Sequence, residues 1–199
     1  MALDKIQTVG IIGAGTMGQG IAQVCAVSGF NVLIYDVDPG FLKKGISNIE
    51  ASLQISVDKN KLSPTQKQES VNRIKPCQGL DQVKADLIIE AAIENLEVKR
   101  EIFKALEKNN SSDCILATNT SSIPVTQIAS TLKNPTRFAG LHFFNPAHIM
   151  KLVEIISGVA TADETIEKLK GFSEKLGKVP VLVKDSPGFV VNRVARHYY

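Results

Sequence analysis

Short runs of apolar, often β-branched residues alternate along the chain with longer segments in which apolar residues recur every three or four positions. The runs predict strands and the longer segments predict helices. The predicted strands are Thr8–Ile12, Asn31–Tyr35, Asp86–Glu90, Cys114–Thr118, Arg137–His142, Leu152–Ile156 and Pro180–Val183. The predicted helices are Gly18–Val27, Leu96–Glu107, Val125–Leu132 and Asp163–Leu176. This alternation indicates an α/β fold with a doubly wound parallel sheet, covered by helices on both faces.

Residues 41–73 interrupt the alternation. Their apolar positions recur at spacings of three and four, at Ile46, Ile49, Leu53 and Val57. The dipeptide Ser63-Pro64 breaks this pattern, and a second helical pattern follows it through Val71. The segment therefore predicts a helical hairpin inserted at the rim of the sheet. Such an insertion either contacts a ligand or only elaborates the surface, and the pattern alone leaves both open.

A glycine-rich turn, Gly13-Ala14-Gly15-Thr16-Met17-Gly18, joins the first strand to the first helix. The first glycine allows the tight turn, the second lets the backbone approach a pyrophosphate, and the third lets the helix pack against the strand. The N-terminus of the helix then presents N–H groups and a partial positive charge to phosphates. The spacing predicts a dinucleotide site in a Rossmann-type domain.

Asp36 follows the second strand, about 20 residues after the glycine turn. A carboxylate at this point accepts hydrogen bonds from both hydroxyl groups of an adenosine ribose, whereas it repels a 2′-phosphate. The next residues, Val37-Asp38-Pro39, offer no cation to a phosphate. The sequence therefore predicts NAD rather than NADP as the cofactor.

The bulk properties exclude several classes of protein. The chain has 199 residues, 44% hydrophobic and 22% charged, as expected of an ordinary globular domain. A net charge of +3 gives no indication of nucleic-acid binding, and the mildly basic residues 59–75 are either a solvated helix face or an attraction for a phosphorylated ligand. No stretch resembles a signal peptide or a membrane span. Three widely spaced cysteines, Cys25, Cys77 and Cys114, are typical of reduced packing residues in a cytoplasmic protein.

His142 and Glu154 are the strongest candidates for catalysis. His142 lies at the carboxyl end of a predicted strand, where open α/β sheets place their sites. Glu154 lies in the otherwise apolar run Leu152–Ile156, where a carboxylate needs a partner. A carboxylate beside a histidine fixes the tautomer of the ring and favours its protonated form, so the two predict an acid–base pair suited to alcohol oxidation. A histidine in apolar surroundings is more often a packing residue, and the pattern alone leaves that alternative open.

Other polar residues follow the predicted strands. Asn119-Thr120-Ser121-Ser122 is either a polar turn and helix cap or a set of hydrogen-bonding groups for a substrate oxygen. Glu94 and Lys99 are within reach of a nicotinamide, although taken alone they are more typical of surface charges. The histidines and Glu154 fit no familiar metal-ligand spacing, so no metal is expected.

The chain resembles the NAD-binding domain of the 3-hydroxyacyl-CoA dehydrogenases over essentially its whole length. The matching segments follow family order and spacing: residues 13–18, Glu90-Ala91-Ala92-Ile93-Glu94-Asn95, Asn119-Thr120-Ser121-Ser122, residues 140–146 and Asp185–Arg193. The resemblance implies reversible hydride transfer between NAD and a (3S)-3-hydroxyacyl-CoA with a short acyl chain, such as 3-hydroxybutyryl-CoA.

The resemblance also implies roles for individual residues. His142 would be the catalytic base, oriented by Glu154, while Ser121 and Asn192 would form hydrogen bonds to the reacting oxygen of the substrate. The implied cofactor-binding residues are Gly13, Ala14, Gly15, Thr16, Met17 and Gly18 at the phosphates, Asp36 at the ribose, and Glu94, Lys99, Asn119 and Asn145 toward the nicotinamide. Ser52 and Lys59 of the hairpin, together with Ser121, fall where the family contacts the acyl-CoA.

The family continues as a helical domain that closes the substrate cleft and forms a homodimer. We expect residues 1–186 to form the NAD-binding domain and residues 187–199 to begin a linker helix toward that further domain, which is absent from this sequence. We also expect this chain to fold, to bind NAD, to be largely monomeric and to have low activity. Two alternatives are another β-hydroxyacid dehydrogenase, many of which use a catalytic lysine, and a non-catalytic NAD-binding or structural relative. The presence of Ser121, His142, Glu154 and Asn192 together favours the enzyme.

Overall fold

The computed structural model describes residues 6–186, 188–190 and 193–194. Within these ranges the strands are β1 (Thr8–Ile12), β2 (Asn31–Tyr35), β3 (Ile74–Pro76), β4 (Leu87–Glu90), β5 (Ile115–Thr118), β6 (Phe138–Phe143), β7 (Leu152–Ser157) and β8 (Val179–Lys184). The helices are α1 (Thr16–Val27), α2 (Pro39–Asp58), α3 (Pro64–Arg73), α4 (Leu96–Asn109), α5 (Val125–Ala129) and α6 (Asp163–Lys175). The linker helix predicted from residue 187 onward lies mostly outside the described residues.

All these strands belong to one sheet, in the order β3-β2-β1-β4-β5-β6-β7-β8. Neighbours are parallel from β3 to β6, β7 runs antiparallel to β6, and β8 runs parallel to β7. The chain order reverses between β1 and β4, so a crevice lies at the carboxyl ends of these two strands. The prediction of a Rossmann-type doubly wound sheet is confirmed, although the alternation of elements did not predict the direction of β7.

The sheet separates two apolar cores. On one face, side chains of α1, α2 and α6, such as Ile21, Leu53 and Phe172, pack on the strands. On the other face, Phe103 of α4 and Ile128 of α5 do the same. The three cysteines are buried and unpaired, as predicted, and burial raises the pKa of the Cys114 thiol to about 12. In the described part of the chain, no helix is long and apolar enough to cross a membrane.

The predicted helical hairpin is confirmed as α2 and α3. Asp38 caps α2 because its side chain accepts hydrogen bonds from the N–H groups of Gly40 and Phe41. Ser63 begins α3 with a capping box, in which its hydroxyl accepts from the Gln66 N–H and the Gln66 side chain accepts from the Ser63 N–H. The interior-facing residues of α2 join the main core, so the hairpin is packed on the domain rather than extended from it.

Two local predictions were inaccurate. The short strand β3 was not predicted, because it has three residues, ends in Pro76 and lies at the sheet edge, where little burial is required. Helix α5 ends at Ala129 instead of continuing to Leu132. Its first N–H groups, at Val125 and Thr126, are bound by the carboxylate of Asp185 at distances of 2.9 and 2.8 Å.

The capping box gives a prediction for the hairpin. We expect Ser63→Ala to lower the free energy of unfolding by about 1 kcal/mol, because the Gln66 N–H loses its acceptor. Ser63→Asp retains an acceptor and should recover most of this loss in urea denaturation. Equal losses in the two variants would show that the cap does not stabilise the hairpin.

Candidate active site

The glycine turn lies at the carboxyl end of β1, beside the end of β4. Gly13 has φ of +101°, and a Cβ there would lie 2.6 Å from the Ala91 carbonyl oxygen. At Gly18 a Cβ would lie only 1.8 Å from the Gly13 carbonyl oxygen, so α1 packs on the turn itself. At Gly15, by contrast, a Cβ would meet no heavy atom of the described residues within 4 Å. The turn therefore places bare backbone at the surface of the crevice, as the motif predicts.

The N-terminus of α1 is open to a ligand. Among the described residues no side chain caps it, and its first turn holds no acidic residue. The first α-helical bond of this end runs from the Gln19 N–H to the Gly15 carbonyl oxygen, so the N–H groups of Thr16, Met17 and Gly18 precede the helical ladder. This arrangement suits the phosphates of a dinucleotide, which such a helix end attracts.

Asp36 lies next to the turn, at the end of β2. Its carboxylate accepts hydrogen bonds from the Ala14 N–H at 2.7 Å and from the Asp38 N–H at 3.0 Å. These two bonds fix the carboxylate while each oxygen keeps a further lone pair. The geometry suits a pair of ribose hydroxyl donors.

A cleft of about 610 Å³ opens between these groups. Its walls are formed by Gly13, Gly15 and Asp36 on one side and by apolar side chains on the others, including Phe41, Ile93, Val98 and Ile102. A largely apolar cleft with the carboxylate of Asp36 beside exposed backbone N–H groups, and Asp38 at its lining as well, fits the adenosine and pyrophosphate of NAD, so the residues present fit this cofactor.

Glu94 and Lys99 are held in a polar network at the ends of β4 and β5. Lys99 is only 1% exposed, so its interpretation as a surface charge was wrong. Its ammonium lies 2.6 Å from Oε1 of the buried Glu90 and 3.4 Å from Oε2 of Glu94. Oε1 of Glu94 accepts bonds from the Thr120 hydroxyl, from the N–H groups of Ser121 and Ser122, and from the Ser122 hydroxyl. Lys99 therefore lies on the buried side of Glu94, whose own side chain is partly exposed to solvent.

The pKa of Glu94 is lowered by this network. Partial burial alone raises the pKa, but the hydrogen bonds from Thr120 and Ser121 and the positive charge of Lys99 outweigh it. Glu94 is therefore ionised throughout the neutral range. Its interactions with this loop are lost when the pH falls far enough to protonate it, because the charged form is the one that the folded chain stabilises.

His142 and Glu154 are paired by strand register. They lie directly opposite each other in the antiparallel ladder of β6 and β7, and His142 Nδ1 lies 2.8 Å from Glu154 Oε2. Both side chains are buried, to 7% and 1% exposure. The sequence prediction that these two residues lie together is confirmed. The bond to Glu154 leaves Nε2 as the ring nitrogen that can exchange a proton with a substrate.

Two phenylalanines and one backbone group complete the surroundings of the pair. The rings of Phe144 and Phe189 lie 4.6 and 5.8 Å from the His142 ring, centroid to centroid. The Val190 N–H donates to Glu154 Oε1 at 3.0 Å, so the two oxygens of this carboxylate bind different elements. Apolar walls and a fixed carboxylate suit proton transfer by the imidazole.

The remaining predicted residues lie in different parts of the structure. Asn119 accepts a bond from the Phe143 N–H at 2.8 Å and so ties the end of β5 to that of β6. Ser52 of α2 and Asn145 line a smaller cleft, of about 160 Å³, between the hairpin and the loop after β6. Lys59 is exposed at the C-terminal end of α2. Asn192 lies outside the described residues.

Sequence reasoning missed Glu90 and Thr118. Glu90 is fully buried, and its carboxylate accepts from the Thr118 hydroxyl at 2.7 Å. The signal that identified Glu154, a carboxylate in an apolar strand, was also present in Leu87-Ile88-Ile89-Glu90.

The polar segment Asn119-Thr120-Ser121-Ser122 does not cap α5, since Asp185 binds the first N–H groups of that helix. In the described ranges, no group of three or more His, Cys, Asp or Glu side chains is placed to bind a metal.

The fold and the site define an NAD-binding domain of a dehydrogenase, and comparison with known proteins agrees. Residues 8–186 match the family model of the 3-hydroxyacyl-CoA dehydrogenase NAD binding domain. The chain therefore belongs to the 3-hydroxyacyl-CoA dehydrogenase family, and its cofactor is NAD.

Individual relatives cover nearly all of the chain. The 3-hydroxyadipyl-CoA dehydrogenase of Escherichia coli is 48% identical over 98% of this chain and 41% of its own length. The probable 3-hydroxybutyryl-CoA dehydrogenase of Bacillus subtilis is 44% identical over 96% of this chain and 67% of its own length. The crystal structure of a 3-hydroxybutyryl-CoA dehydrogenase from Escherichia coli superposes with a TM-score of 0.96 at 48% identity, over 98% of this chain and 42% of that one. The chain thus spans from about two fifths to two thirds of these relatives.

The two glycines of the turn give a matched pair of variants. Gly18→Ala should lower the free energy of unfolding by about 1–3 kcal/mol, because its Cβ has no room beside Gly13. Gly15→Ala has room and should stay within about 1 kcal/mol of the parent. Its affinity for NADH should nevertheless fall at least about tenfold, since the methyl group stands where backbone meets the pyrophosphate. Urea denaturation and NADH fluorescence measure the two effects, and an unchanged NADH affinity in Gly15→Ala would contradict this placement.

Proposed function

We propose that this chain provides the NAD-binding and acid–base residues of a dehydrogenase that interconverts a (3S)-3-hydroxyacyl-CoA and a 3-oxoacyl-CoA. The substrate proposed has a short acyl chain, such as 3-hydroxybutyryl-CoA. The observation that carries the proposal is the buried His142–Glu154 pair, on the same edge of the sheet as the open glycine turn. A cofactor cleft without an acid–base pair would support binding alone.

The imidazole of His142 performs the proton transfer. NAD, held by the glycine turn and Asp36, would supply the redox chemistry, as the hydride acceptor in oxidation of the alcohol and, as NADH, the hydride donor in reduction. In the oxidising direction Nε2 of His142 takes the hydroxyl proton, and in the reducing direction it gives the proton back to the same oxygen. Glu154 holds Nδ1, which fixes the tautomer, and its negative charge stabilises the imidazolium that forms.

Ser121 is proposed to form a hydrogen bond to the reacting oxygen of the substrate. Its backbone N–H is fixed to Glu94, and this contact holds the loop after β5 at the carboxyl edge. Asn192 is proposed for the same oxygen, on the resemblance to the family. Glu94, Asn119 and Asn145 are proposed around the nicotinamide, with Lys99 acting through Glu94.

Ser52 and Lys59 are proposed to contact coenzyme A. Ser52 lies in the smaller cleft beside Asn145, and Lys59 lies seven residues further along the hairpin with its side chain in solvent. A hydroxyl group in a cleft and a nearby exposed ammonium suit a long phosphorylated ligand. The buried, unpaired cysteines support a reducing compartment such as the cytoplasm.

Asp36 predicts a preference for NADH over NADPH. The 2′-phosphate would remove ribose hydrogen bonds and bring negative charge beside a carboxylate, at a cost of about 2–4 kcal/mol. Fluorescence titration of the chain with both cofactors measures the ratio of affinities, and equal affinities would rule out this role. Asp36→Asn should bring the affinities for NADH and NADPH closer together. Asp38→Asn removes the same charge but keeps a good helix cap, so it should change the ratio less.

Replacing His142 tests the reaction itself. His142→Gln should lower kcat for acetoacetyl-CoA reduction by about 10²–10⁴, because glutamine cannot give the substrate oxygen the proton that the imidazolium supplies. The affinity for NADH should change little, and this shows that the variant is folded. Glu154→Gln should also lower kcat and shift the pH–rate profile. A His142→Gln enzyme with near-normal turnover would exclude the residue from the mechanism.

A further inference from the structure

The buried carboxylate of Glu90 is held by three donors. The Ala92 N–H and the Lys99 ammonium bind Oε1 at 2.7 and 2.6 Å, and the Thr118 hydroxyl binds Oε2 at 2.7 Å. Glu90 has no exposed surface, so it cannot touch a ligand in this structure. A buried charge is retained at a considerable desolvation cost, which its partners must offset.

Lys99 joins this carboxylate to a second one at the surface. It lies in the first turn of α4 and is itself buried, yet its ammonium lies between Glu90 and Glu94. The side chain of Glu94 is 39% exposed. The ammonium therefore links a carboxylate that is fixed in the core to a partly exposed carboxylate at the surface.

Glu94 in turn fixes a stretch of backbone. Its Oε1 accepts from the Thr120 hydroxyl at 2.6 Å and from the N–H groups of Ser121 and Ser122 at 2.9 and 3.0 Å. Charge-assisted bonds of this kind are stronger than bonds between neutral groups. A continuous path thus runs from the core through Glu90, Lys99 and Glu94 to the backbone of Ser121.

We propose that Glu90 and Lys99 are positioning residues, which hold the Glu94 carboxylate in place so that it orients the backbone at Ser121 and Ser122. Glu94 then serves the nicotinamide side and the substrate oxygen at once, and Lys99 needs no contact with either ligand. The catalytic purpose of this path rests on the proposed function, since it depends on the role of Ser121. Its structural half concerns the chain without ligands.

A second buried ion pair of the same helix provides the control. Glu107, in the last turn of α4, lies 3.8 Å from Arg137, and both side chains are nearly buried. Its carboxylate accepts from the N–H groups of Lys133 and Asn134, away from the loop after β5. Glu107→Gln therefore removes a buried charge from α4 without touching the path to Ser121. It separates a loss of stability from a loss of positioning.

The test compares backbone amides of the ligand-free chain by NMR. In the parent, the Ser121 and Ser122 amide resonances should follow the titration of Glu94 below the pH of an ordinary glutamate. Lys99→Met should move that titration to higher pH and speed hydrogen exchange at the two amides about tenfold. Lys99→Arg should restore both. Glu107→Gln should lower stability and leave both amides as in the parent.

The double variant Glu90→Gln/Lys99→Met guards against simple unfolding. It removes both charges, so it should be more stable than either single variant. We nevertheless expect it to keep the altered Ser121 and Ser122 amides and a roughly tenfold loss of NADH affinity. Parent-like amides in Lys99→Met and in the double variant, or equal changes in Glu107→Gln, would overturn the proposal. If the parent itself does not bind NADH, the proposed function fails while the amide result still decides the positioning path.

Discussion

A carboxylate can be buried in a sheet only when donors surround it, and this requirement organises the carboxyl edge of the domain. Glu90 and Glu154 are both buried to 1% exposure or less, the first on β4 in the middle of the sheet and the second on β7. Each of these carboxylates is paired with a basic side chain, Glu90 with Lys99 and Glu154 with His142. Because an unpaired charge there costs several kcal/mol, the partners have little freedom to move. The carboxyl edge is therefore anchored by carboxylates that lie in the core.

The cofactor side is built on a different principle. The glycine turn offers backbone without side chains, and the end of α1 carries partial positive charge that no described acidic residue of its first turn offsets. Asp36 supplies a carboxylate there, and the Ala14 N–H holds it against the turn. The two sides are joined by Glu94 and by Asn119, which ties β5 to the backbone beside His142. A ligand that spans the carboxyl edge of the sheet therefore contacts groups that are connected to one another by hydrogen bonds.

The sequence predicts the local features of this framework well. The apolar runs gave β1 and β2 with their observed ends, since buried parallel strands are continuous apolar stretches. The odd carboxylate in an apolar run identified Glu154 and, through it, the pair with His142. The same reasoning applies to Glu90, which closes the apolar run Leu87-Ile88-Ile89, although the sequence patterns assigned it no role in the site.

Contacts between distant parts of the chain were beyond the sequence patterns. Asp185 caps α5 from about sixty residues away, and no periodicity indicates which carboxylate will reach which helix. The burial of Lys99 depends on its contact with Glu90 and on the packing of α4 against the strands. A lysine is usually exposed, so the residue type alone indicated a surface position. Strand direction after β6 likewise depends on tertiary pairing, and only the antiparallel register sets Glu154 opposite His142.

The two oxygens of Glu154 create a thermodynamic linkage. One oxygen contacts the His142 ring, and the other accepts from Val190, in a segment whose Phe189 is buried against that ring. A displacement of residues 188–190 would take a donor away from the carboxylate and leave more of its charge to the imidazole. The placement of this segment and the anchoring of the Glu154 carboxylate beside His142 are therefore reciprocal, so whatever holds one of them in place also favours the other.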